Sequence, residues 1–73
     1  LALIRGDRDA AIAAYNAALR KDVMHMPTRR ALAILYVETG RADLARSVIQ
    51  NGLGYPHTVD DRRWAVDFLG RQP

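Results

Sequence analysis

Few of the 73 residues carry groups that could do chemistry, and their spacing decides which chemistry remains. His57 with Asp60 and Asp61 is the one local cluster of metal-ligating types. Its spacing matches no recognised metal site, which would need further ligands at fixed positions. His25 and His57 therefore read as loop histidines. Met24 and Met26 flank His25 and read as soft filler beneath that loop rather than as metal ligands. Ser47 is the sole serine, and it falls mid-helix with no histidine nearby to activate it. Glu38 is the sole glutamate, and the aspartates show no paired-carboxylate arrangement. The chain contains no cysteine, so a disulfide framework, a thiol nucleophile and a thiolate zinc site are excluded. No catalysis and no cofactor are expected.

The remaining polar chemistry is that of arginine. Net charge is +3, and the basic residues are Lys21 and arginines at 5, 8, 20, 29, 30, 41, 46, 62, 63 and 71. Acidic residues are interspersed among them, which is the pattern of a solvated surface. Arg29-Arg30 and Arg62-Arg63 are the only adjacent arginine pairs. They read either as two basic steps along one surface, facing acidic groups or phosphates, or as solvated helix positions near N-terminal turns. No aromatic platform separates them and no glycine-rich phosphate loop accompanies them, so specific nucleic-acid recognition has little support. The Ala- and Arg-heavy composition is common in chains from GC-rich genomes and suggests a bacterial source.

These residues must be positioned by a small helical domain. With 49% hydrophobic and 26% charged residues the chain should fold as one unit. No apolar run approaches the roughly 20 residues of a membrane span. The start, Leu1-Ala2-Leu3-Ile4-Arg5-Gly6, has no initiator Met and reads as a cut through a longer chain. Apolar residues recur at three- and four-residue intervals in four places: Ala11, Ile12, Tyr15, Ala18 and Leu19; Ala31, Leu32, Leu35 and Tyr36; Leu44, Ala45, Val48, Ile49 and Leu53; Ala65, Val66 and Leu69 with Trp64 and Phe68. No segment alternates with period two. The pattern predicts a helix fragment at 1–5 and helices near 7–21, 27–39, 41–53 and 58–70. Pro27 suits a first helical turn. Gly6 and Gly40 are predicted to make the tight turns inside helical hairpins. Gly52, Gly54 and Pro56 should stop the third helix, and Thr58 with Asp61 suggests a capping box for the fourth.

Offsetting the chain by 34 residues aligns eight identities: Leu1/Leu35, Gly6/Gly40, Asp9/Asp43, Ala11/Ala45, Leu19/Leu53, Arg29/Arg63, Ala31/Ala65 and Leu35/Leu69. Chance would give roughly three or four. The turn glycines, the small residues five positions later and the closing leucines all keep phase.

This pattern resembles the tetratricopeptide repeat (TPR) family, whose unit is a 34-residue helix A–turn–helix B hairpin. Residues 26–59 match best: Leu32-Ala33 and Tyr36 in helix A, Gly40 at the turn, Ala45 at the small residue of helix B. Before them, Gly6-Asp7, Ala11, Tyr15, Ala18-Leu19 and Asp22 fit the second half of a preceding unit. The departures are Val23 in place of the closing proline, Ile49 at an aromatic position, Gly52 at a small position, and Asp67 and Gly70 in the last helix. The resemblance implies an all-α fold of antiparallel helix-turn-helix hairpins stacked as a short TPR-like α-solenoid. It divides the chain into 1–25 (the end of a helix A plus a helix B), 26–57 (a second repeat) and 58–73 (a capping helix). Asp67, Arg62 and Arg63 would make the outer face of that cap soluble.

The resemblance further implies a non-catalytic module that holds a partner peptide or helix on the helix A groove face, within a larger scaffold or assembly factor. Carried over by position, that face is Pro27, Arg30, Ile34 and Val37, continued one repeat on by Trp64, Phe68 and Arg71. Trp64 and Phe68 could equally pack on the preceding helix B as core. The expected partner is a protein or peptide, such as an amphipathic helix or an extended apolar segment. A homo-oligomer through the exposed face of the N-terminal repeat is also expected. A basic nucleic-acid-binding domain and a purely structural solenoid segment are the alternative classes. Cytoplasmic and periplasmic placements both fit.

Overall fold

The computed structural model describes residues 2–71, with side chains from Asp7 onward. It contains four helices: α1 (Ala2–Lys21), α2 (Met26–Glu38), α3 (Ala42–Gly52) and α4 (Val59–Arg71). No strand occurs among the described residues. The fold is all-α, as expected, and the three later helices lie within one residue of their expected bounds.

The expected turn at Gly6 does not form: α1 runs unbroken from Ala2 through Gly6 to Lys21. A helix-interior glycine costs only about 1 kcal/mol relative to alanine. The Ala-rich stretch that follows, with alanines at 10, 11, 13, 14, 17 and 18, outweighs that cost. Arg20 and Lys21 complement the carbonyl end of the helix. Ala18, expected on the buried stripe, is exposed, whereas Ile12 and Leu19 are buried.

At Gly40 the glycine does end a helix, because the surrounding bonds require a left-handed residue there. The Gly40 φ is 77°, the one positive φ among the described residues. The Gly40 N–H donates to Val37 O at 3.1 Å and the Arg41 N–H to Tyr36 O at 2.6 Å, which together close a Schellman motif. The Thr39 hydroxyl donates to the Leu35 and Tyr36 carbonyls. Gly40→Ala meets no atom within 4 Å, so its cost is purely conformational. It is expected to be about 1 kcal/mol, and a fall in Tm of about 4–8 °C followed by circular dichroism checks it.

The other helix starts are also locally encoded. Pro27 sits in the first turn of α2. The Asp22 carboxylate accepts the Met24 N–H at 3.2 Å and shapes the preceding loop. Thr58 Oγ1 accepts the Asp61 N–H at 3.0 Å, the forward half of the expected capping box. The reciprocal half is replaced, because the Asp61 carboxylate accepts from Arg30 of α2 instead.

Helix α2 is the hub: it packs against α1, α3 and α4, while α1 packs on α2 alone among the described helices. Two apolar clusters result. Ile12 and Leu19 of α1 close on Leu32 of α2. Met26 and Ala33 of α2 meet Ala45 and Ile49 of α3 and Ala65 of α4. Tyr36 and Val48 border both clusters. Ala33, Ala45 and Ala65 are fully buried, which places small residues where the helices meet. The molecule measures 37 × 30 × 17 Å, about two helices deep.

Candidate functional site

The residues singled out by the sequence fall into one assembled group and two outlying positions. Arg30, on the second turn of α2, reaches Asp61 and Trp64 on the first two turns of α4. Its Nη1 donates to Asp61 Oδ1 at 3.1 Å. Its guanidinium carbon lies 4.8 Å from the Trp64 ring centroid. These contacts bring the N-terminal turns of α2 and α4 side by side. They also occupy the cation: Arg30 ties α2 to α4 through an ion pair and a cation–π contact, each worth on the order of 1 kcal/mol at a half-exposed site.

Trp64 and Phe68 are four residues apart on one face of α4. Their rings stack with centroids 4.9 Å apart and planes inclined by 12°. Both are half-buried against the cluster built on Ala33, Ile49 and Ala65. The pair therefore serves the core and still shows part of its surface to solvent. Ile34 and Val37 lie one and two turns beyond Arg30 and are 46% and 38% exposed. They extend an exposed apolar strip along the α2 face that carries Arg30. Pro27 is exposed at the start of the same helix. Arg71 does not join this group in charge, because its Nη2 pairs with Asp67 Oδ2 at 2.9 Å within α4.

The histidines are engaged locally. His25 Nδ1 and Thr28 Oγ1 are 2.6 Å apart, and His57 Nδ1 lies 2.6 Å from Tyr55 O, to which it donates. The group at Arg8, Asp9, Glu38 and Arg41 joins α1 to the α2–α3 turn through two long ion pairs, Arg8–Glu38 at 3.7 Å and Arg41–Asp9 at 4.0 Å.

One residue is placed quite differently from both readings of its arginine pair. Arg29 is neither a surface step nor a solvated cation; it is 7% exposed. Its Nε and Nη2 donate to Val23 O at 3.1 and 2.9 Å, and its Nη1 donates to Val48 O at 2.9 Å. The guanidinium also sits 5.4 Å from the Tyr55 ring centroid. A single fork thus links the α1–α2 loop, α2 and α3. Gly52 makes room for it: a Cβ there would fall 2.6 Å from Arg29 Cδ and 2.9 Å from Met26 Sδ. Gly52 was expected to stop α3 and, through the resemblance, to stand at a small-residue position of helix B. Its burial at the last turn shows that it permits close approach. The sequence held a signal for both, since Met26, Arg29 and Ala33 share one helical face, as do Ala45, Ile49 and Gly52. Arg63, one repeat on from Arg29, is exposed.

What this arrangement can do chemically is present an apolar and aromatic surface of fixed shape. Comparison with protein-family models, with curated proteins and with solved structures found no match.

Proposed function

We propose that this chain is a non-catalytic protein–protein interaction module whose α2 and α4 present a contact surface for a partner peptide or helix. The observation that carries the reading is the exposure of Ile34 and Val37 on the α2 face whose Arg30 contacts Trp64 of the stacked Trp64–Phe68 pair. Rigid aromatic rings next to open aliphatic positions are the usual anchors of an interface, because they bury area at little cost in side-chain entropy. The Arg30 contacts to Asp61 and Trp64 preorganise that surface by fixing α4 against α2.

On this reading the helices stack as about one and a half TPR-like repeats with a final capping helix, inside a larger scaffold or assembly factor. The left-handed turn at Gly40, the buried Ala33 and Ala45 and the hub position of α2 support it. The test leaves Arg30 and Trp64 intact, since both hold the helices together. Ile34→Asp/Val37→Asp alters only exposed side chains. A nuclease-treated pull-down from source lysate should retain a protein with the wild-type chain and lose it about tenfold or more with this variant at equal helicity. Identical capture by both would place the contact surface elsewhere. Capture that disappears on nuclease treatment would favour the basic nucleic-acid-binding class instead.

A further inference from the structure

The face of α4 opposite the aromatic pair was expected to be a soluble cap, yet it carries two of the most exposed aliphatic side chains among the described residues. Val59 is 68% exposed and Val66 57%. At about 100° per residue the two valines lie within about 20° of each other on the helix surface. Arg62 and Arg63 then stand about 50° to either side of that ridge. Both arginines are exposed, and neither forms an ion pair among the described residues. Of the nearby acids, Asp67 borders the strip beside Arg63 but is held by Arg71 at 2.9 Å, Asp61 is engaged by Arg30, and Asp60 falls about 110° away. The residues Val59, Arg62, Arg63, Val66 and Asp67 line a shallow depression.

We infer that this face of α4 is a second docking surface, and that its occupant is an acidic amphipathic helix of a partner protein. Aliphatic side chains of that helix pack over Val59 and Val66, and carboxylates flanking them meet Arg62 and Arg63. The charge pattern selects this occupant. An apolar ridge between two unpaired guanidinium groups is complementary to an apolar stripe edged with carboxylates. A phosphate backbone would gain the two cations but would have to desolvate against the valines. The surface lies on the opposite side of α4 from Trp64 and Phe68, so this inference stands or falls independently of the α2–α4 contact surface.

The probe is a fluorescein-labelled helical peptide of about 18 residues with leucines at i, i+3, i+4 and i+7 and glutamates flanking them, beside a control with lysines in place of the glutamates. Fluorescence anisotropy should show saturable binding of the acidic peptide to the whole chain and none of the lysine peptide. Arg62→Glu/Arg63→Glu should weaken binding about tenfold, and Val66→Asp should do the same, while Ile34→Asp/Val37→Asp leaves it unchanged. The glutamates would lie in the first turns of α4, where negative charge is favourable, so the fold is retained. Amide shift changes on peptide addition should centre on residues 59–67. Three results each overturn the inference: equal binding of the lysine peptide, binding insensitive to the charge reversal, or shifts confined to Ile34, Val37 and Phe68. Self-association of the unliganded chain that Val66→Asp abolishes would overturn it too, by assigning the face to a second copy.

Discussion

Replacing Arg29 with alanine is expected to cost about 3 kcal/mol of stability and to lower Tm by about 12–24 °C. The size follows from what the guanidinium joins. Val23 O, in the α1–α2 loop, accepts two of its N–H groups and Val48 O of α3 accepts a third. Alanine leaves the loop carbonyl without those donors and opens the space beside Tyr55 and Gly52. Relief from burying a cation offsets part of the loss, since no carboxylate pairs with Arg29 among the described residues. Lysine cannot substitute fully, because a single ammonium does not span two carbonyls on separate elements as a planar fork does.

Gly52 provides the matching half of this experiment. In the wild-type background Gly52→Ala should destabilise by about 1–2 kcal/mol, because its Cβ displaces an Arg29 stem already fixed at its tip. That outweighs the intrinsic gain of alanine over glycine in a helix. In the Arg29→Ala background only the flexible Met26 Sδ, 2.9 Å from that Cβ, remains in the way; it can turn into the space the guanidinium leaves, so the same substitution should be neutral or stabilising. Urea unfolding of the four proteins reads this as a coupling of about 2 kcal/mol. Additive effects would show that Arg29 and Gly52 are not one packing unit.

Arg29 also marks where sequence reasoning stopped. A charged residue beside another charged residue reads as surface, and only the tertiary placement of Val23 and Val48 makes a buried arginine tolerable. The helices themselves were legible because each carries apolar residues at three- and four-residue intervals bounded by local punctuation: Pro27 acts through its fixed φ, and Gly40 and Thr58 through bonds within their own turns. Gly6 misled because a glycine ends a helix only where flanking residues complete the cap, as Thr39 and Arg41 do at Gly40. In the candidate site, the exposure of Ile34 and Val37 follows from their positions off the buried stripe of Leu32 and Ala33. The engagement of Arg30 by Asp61 and Trp64 was not legible, because it depends on how α4 returns to α2. On α4, Val66 was read with Ala65 and Leu69 as one apolar stripe, whereas it is 57% exposed on the face between Arg62 and Arg63.

Ile49→Ala and Leu32→Ala should cost the same and yet fail differently. Both side chains are fully buried, and each truncation is expected to remove about 2–5 kcal/mol. A domain of this length commands about 4–11 kcal/mol in total, so either variant approaches the unfolding threshold. Ile49 sits in the cluster that joins α2, α3 and α4. Its loss withdraws support from three helices at once, and the expected outcome is a lower global midpoint with one cooperative transition. Leu32 instead closes the cluster with Ile12 and Leu19. Among the described helices α1 packs on α2 alone, so Leu32→Ala weakens one attachment and leaves the α2–α3–α4 cluster in place. Native-state hydrogen exchange should then show α1 amides losing protection well before those of α3, whereas Ile49→Ala lowers protection in α2, α3 and α4 together. If Leu32→Ala reduced protection evenly in all four helices, the two clusters would be one cooperative core. Tyr36 and Val48, which border both, would be the residues that fuse them.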